Sequence, residues 1–353
     1  MSDTPSISLD QVAHHAGAVL KSVQSVIVGK DEPLKLVLAG ILAGGHILLE
    51  DLPGLGKTLT ARCFAQSLGL DFRRLQFTPD LLPADVTGSL LYNQKSGEFV
   101  YRKGPVHTNL LLADEINRTP PKTQSALLEA MQERQVSVEG ETHLLPEPFT
   151  VLATSNPVEF EGTYQLPEAQ LDRFLLRVSF GYPTPDEEWE VLQRRISRRA
   201  ESVDLAPVID AATLVGMQKA LENVTVEDSV GRYMVAITNA TRGHAQVQVG
   251  ASPRGSLALL LASRALAVLS GRDFVTPDDV KGVAGAALAH RITLKPELWM
   301  RRIDPASVVA DICHGVAAPQ TAQAPTYSAA SATPIDGSQA SPRPLASRKL
   351  AEQ

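Results

Sequence analysis

A chain of 353 residues, 44% of them hydrophobic, can bury a substantial core, and its length fits two domains better than one. The formal net charge of -6 gives no general attraction for nucleic acid, no apolar run approaches the ~20 residues that span a bilayer, and "MSDTPSISLD" lacks a signal-peptide core. Cys63 and Cys313 alone are too few for a disulfide framework or a cysteine-rich zinc site, so a cytoplasmic setting is expected.

Residues 9–26 have helical apolar spacing, and residues 33–44 predict a second, mostly apolar helix. The stretch "HILLEDLPGLGKT" then runs an apolar strand, 46–50, into a glycine-bearing turn and a helix start, the geometry that aims backbone amides at an anion. Gly54 and Gly56 let the backbone approach phosphate. Lys57 opens the helix and can reach the outer phosphates, and the Thr58 hydroxyl suits Mg. Against the pattern GxxxxGK[ST] only the first glycine is missing, replaced by Asp51. Aspartate tolerates a left-handed backbone. Its charge would meet a triphosphate with a repulsion of a few kcal/mol at an effective dielectric of ~20, so the carboxylate is expected to point away.

Strand-like runs follow at 72–77, 109–114, 149–155 and 174–180, separated by helices or turns, which predicts a largely parallel sheet with helices on both faces. Two hairpins interrupt it. "GSLLYNQKSGEFVYRKGPV" turns around Lys95, Ser96 and Gly97, and "RQVSVEGETHLLPEPF" turns around Glu139 and Gly140. Tyr92, Phe99 and Tyr101 alternate along the first as ordinary strand packing does. Past Pro183 and Pro185 the pattern is helical to about residue 315, with helix starts at Pro185, at Ser252 before Pro253 and at Thr276 before Pro277. "RRISRRA" reads as a solvated helix end. From residue 317 the chain is rich in Ala, Pro, Ser, Thr and Gln, and disorder is expected.

Four further segments carry chemistry. "NLLLADEINR" ends an apolar strand in Asp114 and Glu115, where the first can hold a metal through water and the second can polarise an attacking water. "VLATSNP" puts Asn156 at a strand end, suited to a γ-phosphate or a lytic water, and equally to a turn before proline. "LPEAQLDRFLLRV" supplies Arg173 and "GASPRGSLALL" supplies Arg254 in the first turn of a helix; each fits phosphoryl-transfer charge or a structural ion pair.

With these segments in this order, residues 9–315 resemble the MoxR family of AAA+ ATPases, most specifically in "EDLPGLGKT", "LLLADEINRTPPKTQSALLEAMQERQVSVEG", "FTVLATSNPVEFEGTYQLPEAQLDRFLLRV" and "GASPRGSLALL". The resemblance implies an AAA+ α/β nucleotide-binding domain at 1–183 and an all-α lid at 184–316. It implies ATP held by Pro53, Gly54, Leu55, Gly56, Lys57, Thr58 and Leu59, with Val28 and Gly29 lining the adenine pocket. Mg would be held by Thr58 and Asp114, and Glu115, Asn156, Arg173 and Arg254 would act in catalysis. Arg173 would serve a neighbouring subunit's nucleotide in a ring, expected to be a hexamer, and Arg254 would couple the lid to the phosphates of its own subunit. The family resemblance further implies chaperone-like maturation of protein complexes with a von Willebrand factor A domain partner. Two alternatives stand beside it: a nucleic-acid or chelatase motor of the same hairpin-bearing group, the nucleic-acid form of which the acidic balance speaks against, and a nucleotide-gated platform that needs no turnover.

Overall fold

The computed structural model describes residues 6–95, 97–157, 163–200, 203–299, 301 and 303–319, so the expected disordered tail lies outside the described residues from 320 onward. Two helices open the chain, α1 (Leu9–Gln24) and α2 (Asp31–Leu42). Ser8 starts α1 with a reciprocal capping box, its hydroxyl accepting from the Gln11 amide while the Gln11 side chain accepts from Ser8.

The α/β part follows as β1 (Ile47–Glu50), α3 (Lys57–Ser67), β2 (Phe72–Gln76), α4 (Pro83–Thr87), β3 (Gly88–Asn93), β4 (Glu98–Lys103), β5 (Leu110–Asp114), α5 (Pro121–Glu133), β6 (Gln135–Val138), β7 (Glu141–Leu144), β8 (Thr150–Ser155), α6 (Glu168–Leu171) and β9 (Leu176–Val178). Five strands form one parallel sheet in the order β2-β5-β8-β1-β9. Its central strands β5 and β8 are buried at every position, as a sheet covered on both faces requires. Alternate side chains feed two apolar clusters: Ile47, Leu49, Leu110, Leu112 and Leu152 enter one face, and Leu48, Leu111, Ala113, Val151 and Ala153 the other.

Both expected hairpins form. β3 pairs with β4, and β6 pairs with β7 across Glu139 and Gly140, both at positive φ, the conformation that a two-residue turn between twisted strands demands. Tyr92 and Phe99 face each other across the first hairpin with ring centroids 5.3 Å apart. They are exposed, so their packing is mutual and not against the core.

The remaining elements are α7 (Pro185–Arg198), α8 (Ala211–Ala220), α9 (Asp228–Gly243), β10 (Val247–Val249), α10 (Pro253–Leu269), α11 (Pro277–Leu288), β11 (Thr293–Leu294), α12 (Pro296–Trp299) and α13 (Pro305–Gly315). Thr184, Ser252 and Thr276 cap α7, α10 and α11 as their sequence signals predict. Core residues of α8 to α11 and α13 join those of α1, α2, β1 and α3 in one cluster, so the helical part is packed onto one face of the α/β part. Arg194, in the basic end of α7, accounts for itself structurally by donating to the Glu190 carboxylate and to the Gln24 and Ser25 carbonyls. Among the described residues no helix is long and apolar enough to cross a membrane.

His46, just ahead of β1, ties three elements together. Its Nε2 donates to the Met131 carbonyl at 3.0 Å and its Nδ1 accepts from the Val151 amide at 3.0 Å, an arrangement that requires the neutral ring. Burial lowers its pKa from 6.5 to about 4, with the Met131 hydrogen bond opposing and Arg134 assisting. Below pH 6.5 the unfolded chain takes up this proton and the folded chain does not, so stability is lost as pH falls through the window from 6.5 to about 4. Between pH 6.5 and 5 the loss from this group should be about 2 kcal/mol. Denaturant melts at the two pH values should show His46→Gln, though less stable at neutral pH, losing distinctly less on acidification than the parent chain.

Candidate ATPase site

The parallel sheet delivers its chemistry to the edge where the strands end. β1 enters the loop 51–56, and Lys57 begins α3 behind Gly56, whose φ of +80° only glycine adopts without strain. Gly54 and Gly56 each have nothing within 4 Å of an added Cβ, so the cradle is open to a ligand. The Lys57 ammonium donates to the Asp51 carbonyl at 2.6 Å and the Ser155 carbonyl at 3.3 Å, which leaves one of its three hydrogens available for a phosphate. Partial burial lowers its pKa while Asp51, Asp114, Glu115 and Glu50 counteract that. Asp51 turns its carboxylate away from the loop, onto the chain that follows β9.

Asp114 and Glu115 sit at the end of β5, two strands away. Thr154 Oγ1 accepts from the Glu115 amide at 2.8 Å and donates to Asp114 Oδ1 at 2.6 Å. The other Asp114 oxygen accepts twice from Arg74, at 2.7 and 2.9 Å. Glu115 has left-handed φ of 57°, an uncommon state for a non-glycine residue, and its carboxylate accepts from Gln76 at 2.6 Å and Arg118 at 2.9 Å. Asn156 is buried at the end of β8 and lines an open cavity with Glu50 and Asn117. Carboxylates near a lysine and an open glycine loop form a set that fits a phosphate ester with its divalent cation, for which Thr58 and Asp114 would be the ligands. Arg74 is the positive charge that Asp114 holds here.

Arg173 and Arg254 lie elsewhere. Arg173 donates to the Leu128 carbonyl at 2.7 Å, and Arg254 Nη1 is 3.9 Å from Asp172. Both arginines line a cavity with Gly44, Gly45 and His46, on the edge where the strands begin. The five steps of chain from His46 to Asp51 separate that edge from the phosphate loop by roughly 16 Å at the usual strand rise. In this arrangement Arg254 stands near the edge where the strands begin and not beside its own subunit's phosphate loop. The reason is an anchor: Asp172 accepts from Ser252, the cap of α10, and from the nearly buried Arg291, which also donates to the Phe174 and Leu175 carbonyls. This pairing fixes the start of α10 next to Asp172, and Arg173 and Arg254 line the same cavity.

Comparison with known proteins agrees with this geometry. Residues 46–176 match the family model described as "ATPase family associated with various cellular activities (AAA)", and residues 239–312 match an AAA lid domain. Uncharacterised protein YeaC of Bacillus subtilis is 50% identical over 86% of this chain and 94% of its own. Chaperone MoxR1 of Mycobacterium tuberculosis is 42% identical over 88% of this chain and 84% of its own. The chain belongs to the MoxR family of AAA ATPases. A crystallised protein of Cytophaga hutchinsonii assigned as an ATPase superposes with a TM-score of 0.81 at 40% identity, covering 88% of this chain and 96% of that one.

Within this MoxR-family chain the segment proposed for adenine lies close to the start of α7. Val28 is buried, a Cβ on Gly29 would meet the Glu187 carboxylate, and Lys30 Nζ donates to the Tyr182 carbonyl at 3.0 Å. Sequence reasoning missed Arg74, Gln76, Thr154, Asp172 and Arg291. The available signals were hydroxyls closing an apolar run, "VLATS", and two polar side chains spaced by two on an edge strand, "RLQ".

Proposed function

We infer that the protein is a Mg-dependent ATPase that works as a ring, expected to be a hexamer, and uses hydrolysis to remodel partner protein complexes in a chaperone-like manner. The observation that carries this reading is the division of the site: the phosphate loop and the acid pair occupy one edge of the sheet, and Arg173 with Arg254 the other. Arginines that stabilise phosphoryl transfer are of use from that position only to the nucleotide of an adjoining copy.

In this reading Pro53 shapes the turn, and the amides of residues 54–59 and the Lys57 ammonium hold the phosphates. Glu115 orients a water in line with the γ-phosphate and takes up its proton, and Asn156 hydrogen-bonds the same phosphate or water. Thr58 and Asp114 would hold Mg, which would supply neutralisation of the phosphate charge. Arg173 and Arg254 of a neighbouring copy complete the stabilisation of spreading charge. The name of MoxR1, a chaperone, supports the remodelling role, and family resemblance supports a von Willebrand factor A domain protein as partner. A cytoplasmic setting fits Cys63 and Cys313, both free and buried.

Light scattering behind a sizing column tests the assembly. Glu115→Gln protein with ATP and Mg should elute as a closed multi-subunit particle, and a monomer under those conditions at any concentration would overturn the ring.

A further inference from the structure

One carboxylate in the phosphate loop has a task outside nucleotide binding. Asp51 is almost fully buried, and its Oδ2 accepts from the Phe180 amide at 2.5 Å, the Gly181 amide at 2.9 Å and the Ser179 hydroxyl at 3.2 Å, while Oδ1 accepts from the Leu52 amide at 3.1 Å. The expected strand 174–180 stops at Val178 for this reason: the next amides are drawn to Asp51 and not to β1. Charge-assisted bonds of this kind are about twice as strong as neutral ones.

The same residue is tied at every other polar atom. Its amide donates to the Ser155 carbonyl at 3.2 Å, and its carbonyl accepts from Lys57, the phosphate-reaching lysine, at 2.6 Å. The turn it holds, with Gly181 at a left-handed φ of +63°, runs directly into the capping box of Thr184 that opens α7. Tyr182, inside that turn, is held by Lys30 next to the segment proposed for adenine. Both nucleotide-facing segments thus converge on the few residues that lead into the helical part.

We propose that Asp51 is a positioning residue that joins the phosphate loop to the 179–184 linker, so that nucleotide bound at the loop sets the order of the linker and the placement of the helices behind it. The inference rests on the ATPase reading of the loop. Its role explains why a carboxylate replaces the glycine of the phosphate-loop pattern: glycine would offer the turn its backbone but leave the buried Phe180 amide and the partly buried Gly181 amide without this acceptor.

Hydrogen–deuterium exchange of peptides covering 177–190 tests it, in the Glu115→Gln full-length chain with and without ATP. With Asp51 present, ATP should slow exchange in these peptides ~10-fold, in line with a local opening coupled to ligand. In Asp51→Gly the same peptides should exchange fast whether or not ATP is bound, while ATP affinity falls by no more than the ~10-fold that reciprocal coupling requires, because the donors at 54–58 are untouched. Asp51→Asn, which retains an acceptor for Phe180 and Gly181, should restore part of the nucleotide response, a rescue that a merely space-filling role would not give. Nucleotide-dependent exchange that survives Asp51→Gly overturns the proposal, as does loss of ATP binding in that variant alone. Failure of the parent chain to bind ATP would overturn the ATPase reading together with it, which separates the two outcomes.

Discussion

An equal mixture of Arg173→Ala and Glu115→Gln chains, each inactive alone, should regain ATP hydrolysis at about a quarter of the wild-type rate per site. The reason is geometric. Arg173 stands where the strands begin, whereas Lys57, Asp114 and Glu115 stand where they end, so in the proposed ring a complete site would draw on two copies. After random reassembly about one interface in four joins the intact acid pair of an Arg173→Ala chain to the intact arginine of a Glu115→Gln chain. Removing an arginine that acts across an interface costs ~10³-fold or more in rate, so the recovered activity stands far above background. Arg254→Ala mixed with Glu115→Gln should recover in the same way. The decisive mixture is Arg173→Ala with Arg254→Ala. If both arginines serve the same neighbouring nucleotide, every mixed interface lacks one of them and nothing is regained. Recovery there would mean that Arg254 works within its own chain after all, and that the helical part swings across the sheet during turnover.

Gly54 to Thr58 and the pair Asp114 and Glu115 can be read from sequence because the geometry they need is local: a strand, a turn and a helix start, or an apolar strand with acids at its end. The hairpin turn at Glu139 and Gly140 and the caps Ser252 and Thr276 are local in the same sense. Arg74 and Gln76 are not, because they meet Asp114 and Glu115 only after β2 takes the place beside β5 in a sheet whose order departs from chain order. Arg254 illustrates the limit most sharply. Its helix start is plain in "GASPRG", but where that helix docks depends on the Asp172 and Arg291 pairing, formed between residues 119 apart in the chain. Helix α7 shows the same limit in its surface. Trp189, Leu192 and Ile196 have amphipathic spacing, yet all three are exposed, since periodicity defines a face without saying what covers it.

Glu115→Gln should lower the rate of ATP hydrolysis ~10³-fold while leaving ATP bound, since a general base contributes about 10²–10⁴. Glutamine keeps the shape of the side chain and an oxygen that accepts from Gln76 and Arg118, so the strained backbone at this position keeps its supports. What is lost is the negative charge that draws a proton from water. The ion pair with Arg118 is half exposed, and its loss should change stability by less than about 1 kcal/mol. Lys57→Ala makes the contrast, because it removes the ammonium that reaches the phosphates and should lose ATP itself. The two variants then separate motor from platform: if turnover drives remodelling, Glu115→Gln fails in the cell although ATP is bound, and if only nucleotide-gated binding matters, it functions normally. The same variant, held with ATP, is a trap for partners. Affinity capture should recover a protein complex together with a von Willebrand factor A domain protein, and recovery of nucleic acid alone would replace the chaperone reading with that of a nucleic-acid motor.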